Sequence, residues 1–207
     1  MGKVIADISM SLDGYVTGPD DRPGQGLGAG GEILHYWVMG RPWRYDDEGR
    51  RFEPVGVDRK VLSDALEGGA SIIGRGMFEA AGAWGGQPPG GGQIGFFVLT
   101  HQAPAEWTGP GSPFTFVTNG IESALAQAQA VAGDRDVNLG GGASIIRQYL
   151  AAGLVDDLRI HVAPVLLGAG KRLFGEPGDL GAGQIELRRT SVIESPYATH
   201  LAFSVRR

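Results

Sequence analysis

"VNLGGGASIIRQYL" (residues 137–150) joins a short apolar run to three consecutive glycines, and an apolar-periodic segment follows at once. The pattern predicts a strand, a bare turn and a helix. A helix that starts on glycines presents free N–H groups and the positive end of its dipole, a setting that suits a phosphate. A purely structural tight turn fits the same letters. "GRGMF" (74–78) repeats the arrangement after the apolar run "ASIIG" (70–74), with Arg75 placed to reach an anion. Ligands of α/β sheets gather at the carboxyl ends of strands, so two such turns in one chain reinforce each other.

Working outward, "KVIADISMSLDGYV" alternates. Val4, Ala6, Ile8, Met10 and Leu12 share one parity; Ile5, Asp7, Ser9 and Ser11 share the other. A carboxylate in an otherwise apolar strand is costly unless it is paired or meets a wet cleft, so the Asp7-Ser9-Ser11 face reads as a pocket wall or as a solvent-facing strand. Residues 18–56 read as one long loop, 58–69 as a helix, and 75–82 as a short helix. Residues 85–93 read as loop, and 94–100 and 114–118 as strands. Helices are expected at 120–133 and 144–153, strands at 136–140 and 156–168, and two antiparallel strands in 184–194 and 199–207. Strand–helix units followed by a meander argue one α/β domain over 1–207. Its central, mostly parallel sheet is flanked by helices and ends in an antiparallel C-terminal strand pair.

Composition narrows the function. The chain has 207 residues, 42% hydrophobic, with 36 glycines and a formal net charge of −5. That balance lacks the basic footprint of a general nucleic-acid binder. With no cysteine, disulfides, thiolate nucleophiles and thiolate metal sites are excluded. The start does not read as a signal peptide, position 6 is Ala where myristoylation wants Ser or Thr, and no apolar run reaches membrane-span length. A cytoplasmic protein with no membrane or nucleic-acid partner is expected. His35, His101, His161 and His200 show no metal-ligand spacing, so no metal site is expected. There is no nucleophile elbow. A P-loop fails at Val165 and Arg172, and the Gly26-Gly28-Gly31 match to the Rossmann pattern follows no strand.

Four pieces, in order, carry a resemblance: "ISMSLDGYVTG" (8–18), "SIIGRGMFE" (71–79), "FFVLTHQ" (96–102) and "VNLGGGASIIRQYLAAGLVDDLRIHVAPVLLGAGKRLF" (137–174). Together they resemble the dihydrofolate reductase-like superfamily, closest to the reductase domain of riboflavin biosynthesis in its stand-alone bacterial form, since no deaminase zinc motif precedes it. The resemblance implies NADPH as cofactor. Gly140, Gly141, Gly142, Ala143, Ser144 and Ile145 match the turn that cradles the pyrophosphate, and Gly74, Arg75 and Met77 the second phosphate turn, where the family often has Thr for Met77. Thr100 and His101 match the adenosine end, with Arg75 or His101 facing a 2′-phosphate. Ser9 falls near the nicotinamide; Asp13 and Gly14 match the loop over it.

The implied chemistry is hydride transfer to a C=N or C=O of a pterin-like or ribosylaminopyrimidine compound, with a carboxylate placing the proton. Counting back from "IIGRG" puts Asp58 at the helix position the folate enzyme uses, and strand parity makes Asp7 the other candidate. Lys171, Arg172 and Arg44 are candidates for a substrate phosphate. The 37–52 insertion brings Trp37, Trp43, Tyr45 and Phe52 as a lid, a dimer arm or a wall for a flat ring. The alternatives are a catalytically silent NADPH-binding regulatory or stress protein, and a flavin binder. A small-molecule heteroaromatic substrate and a homodimer are the expected partners.

Overall fold

The computed structural model describes residues 2–89, 94–181 and 183–206. Its centre is an eight-stranded sheet. The strands, in chain order, are β1 (Val4–Ser11), β3 (Ala70–Gly74), β4 (Gly95–Leu99), β5 (Phe114–Val117), β6 (Val137–Leu139), β7 (Asp157–Ala163), β9 (Leu187–Glu194) and β10 (Thr199–Val205). The spatial order is β5-β4-β3-β6-β1-β7-β10-β9. The pairs from β5 through β7 are parallel; β7–β10 and β10–β9 are antiparallel. β2 (Tyr15–Thr17) and β8 (Lys171–Arg172) form a separate two-stranded ribbon.

The helices are α1 (Tyr36–Met39), α2 (Val57–Leu66), α3 (Arg75–Ala80), α4 (Ile121–Ala132) and α5 (Ala143–Ala151). α4 and α5 form because their apolar residues recur at helical spacing, with Ala124, Leu125 and Ala128 on one and Ile145, Ile146, Tyr149 and Leu150 on the other. Both stripes pack on β-sheet residues including Ile72, Leu139 and Leu158, all essentially unexposed. Burying each such aliphatic side chain stabilises the fold by about 1.5–3 kcal/mol. Tyr149 keeps its hydroxyl satisfied by donating to the Ile121 carbonyl at 2.8 Å.

Three expectations need correction. Residues 18–56 are not one loop: a 3-10 turn (Gly31–His35) leads into α1, which buries Trp37, Val38 and Met39. Four residues are too few to show a period, so tertiary packing decides this helix. The strand expected over 156–168 stops at Ala163, because Pro164 has no N–H to donate. The strand expected from 184 begins at Leu187. Part of the expected 85–93 loop, residues 90–93, and the last residue of the 199–207 strand lie outside the described residues.

Candidate functional site

Because β1, β3, β4 and β6 run parallel, their carboxyl ends open on one side of the sheet. A continuous cleft of about 1460 Å³ lies there. A single small-molecule site usually has roughly 300–1,000 Å³, so this cleft has room for a dinucleotide beside a second reactant.

One half of the cleft is made of main chain. β3 and β6 are neighbours, so the turns that leave them meet: the Gly74 N–H donates to the Gly141 carbonyl at 3.1 Å, and the Gly140 N–H to the Ile72 carbonyl at 3.0 Å. α3 starts on Gly74, α4 on Gly120 and α5 on Gly142, and no side chain caps any of the three. All three starts line the cleft. Gly141 has φ +104°, where L side chains rarely sit, and a Cβ there would lie 3.3 Å from Met77 Sδ. A Cβ on Gly142 would stand in open space, and the Gly141–Gly142 peptide is cis. Gly74 has no room for a Cβ, since Ile145 Cγ1 would be 2.9 Å away.

Gly140 to Ile145, Gly74, Arg75, Met77, Thr100 and His101 therefore all stand on one wall. Arg75 is held in place there: its Nε donates to Glu79 at 2.7 Å and its Nη1 to the Gln102 carbonyl at 2.9 Å. Thr100 Oγ1 donates to the same carbonyl at 3.0 Å.

The other half is made of side chains. Asp7 and Ser9 line it, as β1 parity predicts, together with Trp37, His35, Leu62 and Phe52. Register explains what they touch. Ser9 pairs with His161 across β1–β7, and His161 pairs with His200 across β7–β10, so all project from one face. Asp7 Oδ1 lies 2.9 Å from His161 Nε2. His161 Nδ1 lies 2.8 Å from His200 Nδ1, and His200 Nε2 lies 2.8 Å from Asp58 Oδ1. Trp37 covers this row, its ring centroid 4.4 Å from His161, and its Nε1 donates to Ser9 Oγ at 3.0 Å. Burial pushes His200 below the usual histidine range, against the raising effect of Asp58. His35 is pushed down to about 4, first by burial and then by His161.

Asp58 is placed otherwise than the folate-enzyme position implied. It sits in the first turn of α2 with no exposed surface and does not line the cleft. Among the described residues, its side chain connects to the cleft through the two imidazoles. Asp13 and Gly14 also stand off the wall. Asp13 accepts hydrogen bonds from the Ser11 hydroxyl (2.6 Å) and the N–H groups of Gly168 (2.8 Å) and Leu167 (3.1 Å), which lower its pKa to about 2. Gly14 accepts from the Leu173 N–H at 2.8 Å. Both residues thus tie the β1–β2 turn to the segment after β7. Lys171 and Arg172 reach the cleft already partnered: Lys171 pairs with Asp21, and Arg172 lies 4.5 Å over the Tyr15 ring. Arg44, Trp43 and Tyr45 do not line the cleft.

Sequence reasoning passed over His35, His161 and His200 as functional residues. The signal was there only in part: His161 and Asp7 each sit on a strand, but their meeting depends on a pairing between residues 154 apart. No group of three or more metal-ligating side chains is found among the described residues, and no helix there is long and apolar enough to cross a membrane.

A mostly parallel sheet with cleft-facing glycine corners at β3 and β6 and an antiparallel C-terminal pair defines a dihydrofolate reductase-like α/β fold. Residues 2–199 match the RibD C-terminal domain, and the chain belongs to that family. Two solved structures share the fold. A putative riboflavin biosynthesis protein from Shewanella sp. PV-4 has a TM-score of 0.70 and 17% identity, with 99% of each chain covered. Dihydrofolate reductase from Enterococcus faecalis, complexed with NADP(H) and RAB-propyl, has a TM-score of 0.61 and 14% identity, covering 100% of this chain and 98% of that one. Among curated proteins, the uncharacterized protein YyaP of Bacillus subtilis (strain 168) is 50% identical over 40 residues, which is 19% of this chain and 21% of that protein.

Proposed function

We propose that this protein is an NADPH-dependent reductase acting on a C=N or C=O bond of a flat heteroaromatic compound. The observation that carries the proposal is the contact between the two glycine corners, Gly74 N–H to Gly141 carbonyl at 3.1 Å, with uncapped helix starts beside both. Main chain that close, with no Cβ on its glycines, suits the doubly charged linker of a dinucleotide. The residues fit the group: Gly141 occupies a conformation that other residues rarely adopt, and Gly142 leaves open space. Gly140 to Ile145 would hold the pyrophosphate, Gly74 to Met77 a second phosphate, and Thr100 the adenosine end. The exposed His101, and Arg75 if it exchanges its Glu79 partner, would face a 2′-phosphate and favour NADPH over NADH. The Enterococcus faecalis neighbour binds NADP(H) on the same fold. When bound, the dinucleotide supplies a hydride.

The rest of the chemistry belongs to side chains. Asp7, a carboxylate that lines the cleft from β1, serves as the proton donor to the substrate heteroatom. Ser9, fixed by the Trp37 N–H, lines the floor where a nicotinamide and substrate meet. Trp37, Leu62 and Phe52 give this half apolar lining. Its cations Lys171 and Arg172 already have partners, which favours an uncharged pterin-like ring over a ribosylaminopyrimidine phosphate.

Replacing Gly141 with Val tests the cofactor site. NADPH titration should show affinity weakened by at least about tenfold with the fold retained; unchanged affinity overturns the assignment. NADPH oxidation with a panel of dihydropterins and aminopyrimidines then separates a turning-over reductase from a silent NADPH-binding protein. The proposal extends to a homodimer formed through the sheet. Edge strand β9 is exposed at every residue but Ser191, with Val192 and Ile193 among the open apolar groups. Sedimentation at micromolar concentration should give twice the chain mass.

A further inference from the structure

Asp7, His161, His200 and Asp58 form one unbroken row of hydrogen bonds, of 2.9, 2.8 and 2.8 Å, from the cleft wall to a point with no solvent exposure. A buried polar row of this kind is costly unless every member is satisfied. Two of its atoms, Asp7 Oδ2 and Asp58 Oδ2, have no partner. A row used only for folding would gain from closing those ends.

Counting protons shows what the row can do. Three hydrogen bonds require three protons, one in each. With both imidazoles neutral, that leaves one negative charge for the whole row, on Asp7 or on Asp58. In one arrangement Asp58 donates to His200 Nε2, His200 Nδ1–H donates to His161 Nδ1, and His161 Nε2–H donates to an ionised Asp7. In the other, every proton has hopped one place along: Asp7 is protonated and Asp58 is ionised. The lowering that burial gives His200 agrees with a neutral ring there.

The geometry points to a proton reservoir: Asp58 acts through His200 and His161 to resupply Asp7, the group that hands a proton to the substrate. This rests on the reductase reading above. Starting with Asp58 protonated and Asp7 ionised, the His161 Nε2–H passes to Asp7, the His200 Nδ1–H to His161 Nδ1, and the Asp58 proton to His200 Nε2, which moves the negative charge to Asp58. With the bound dinucleotide supplying hydride to the substrate carbon, the neighbouring nitrogen or oxygen takes the proton of Asp7 and the Asp7 O–H bond breaks. Both carboxylates are then ionised around two neutral imidazoles, and the reservoir refills later through Asp7. Asp58 touches neither reactant.

Few other charges face the row. His35, in the turn before α1, is neutral above its depressed pKa of about 4. Arg159 is the register partner of Asp7 on β7, and its Nη1 lies 3.5 Å from the Asp64 carbonyl of α2. α1 contributes the uncharged Trp37, and β9 presents Ile193 opposite His200.

Two carboxylates that share a row lose their protons in two steps, the second at higher pH than a lone group would. The wild-type row keeps a deliverable proton until the second step. Asp58→Asn removes the sharing, so the loss of kcat/KM at alkaline pH should move down by about one pH unit or more. NADPH affinity should stay within about twofold, since Asp58 is not on the cleft wall. An unmoved alkaline limb, even with lower activity throughout, overturns the reservoir and leaves Asp58 a structural role. Nitrogen-15 histidine spectra of the wild-type protein give a test independent of any variant and of turnover. They should show two neutral imidazoles near neutral pH, one with a protonated Nδ1 bonded to the bare Nδ1 of the other. A cationic ring there, or no Nδ1–Nδ1 bond, sinks the proposal. Failure of the wild type to bind NADPH would instead sink the reductase reading, with the spectra still deciding the row.

Discussion

The two halves of the cleft are built from different materials. The glycine half is main chain: turns at the ends of β3 and β6, fixed by φ angles and by missing Cβ atoms. The Asp7 half is side chain: Asp7, Ser9 and Trp37 at the cleft, backed by His161, His200 and Asp58 in mutual contact. Backbone donors bind charge without titrating, which suits a ligand whose charge does not change. Side chains that exchange protons suit the partner whose protonation does. On the proposed reductase reading, the contrast makes cofactor binding and proton chemistry separable.

Substitutions can test that separation. Asp7→Asn strikes the side-chain half alone. It should lower turnover about 10²- to 10⁴-fold, the usual span of a lost general acid, while NADPH titration stays unchanged. Loss of cofactor binding instead would demote Asp7 to a structural role. Gly141→Val strikes the other half, with the roughly tenfold or greater loss of NADPH affinity given above and a reaction that still follows the wild-type pH profile at saturating cofactor. Either variant damaging both functions equally would dissolve the distinction.

Acid should unsettle the side-chain half first. The folded pKa of His35 lies at about 4, below the unfolded value of 6.5, so the unfolded chain binds more protons between them. The stabilisation is full above about pH 6.5 and is lost as pH falls toward 4. His35→Gln should flatten the fall of melting temperature across that window; an unchanged slope would remove His35 from the account. The smallest expected change sharpens the glycine half: Met77→Thr adds a hydroxyl beside Gly141 and should tighten NADPH by about two- to tenfold, measured by the same titration.

The two halves also differed in how far the sequence revealed them. Gly140 to Ile145 and Gly74 to Met77 were legible because each corner is local, a strand, a turn and a helix read from consecutive letters. Asp7 was legible through alternation in β1. His161 and His200 were not, because their meeting is a matter of register between strands distant along the chain. Asp58 was singled out by counting from "IIGRG", yet α2 turns its carboxylate inward onto His200. Trp37 was noted only as part of an aromatic insertion, since a four-residue helix leaves no period to read.

The bond from Gly74 to Gly141 has a last consequence. The separation of the corners is set by the spacing of adjacent strands, about 4.8 Å, and not by any connecting loop. If the corners hold a dinucleotide as proposed, that grip is set by strand pairing and not by the segment of residues 18–56, which brings Trp37 and Phe52 to the cleft and meets α3 where Gly26 lies against Ala80. Rebuilding the part around Trp37 would then offer a route to new reactants on an unaltered source of reducing power.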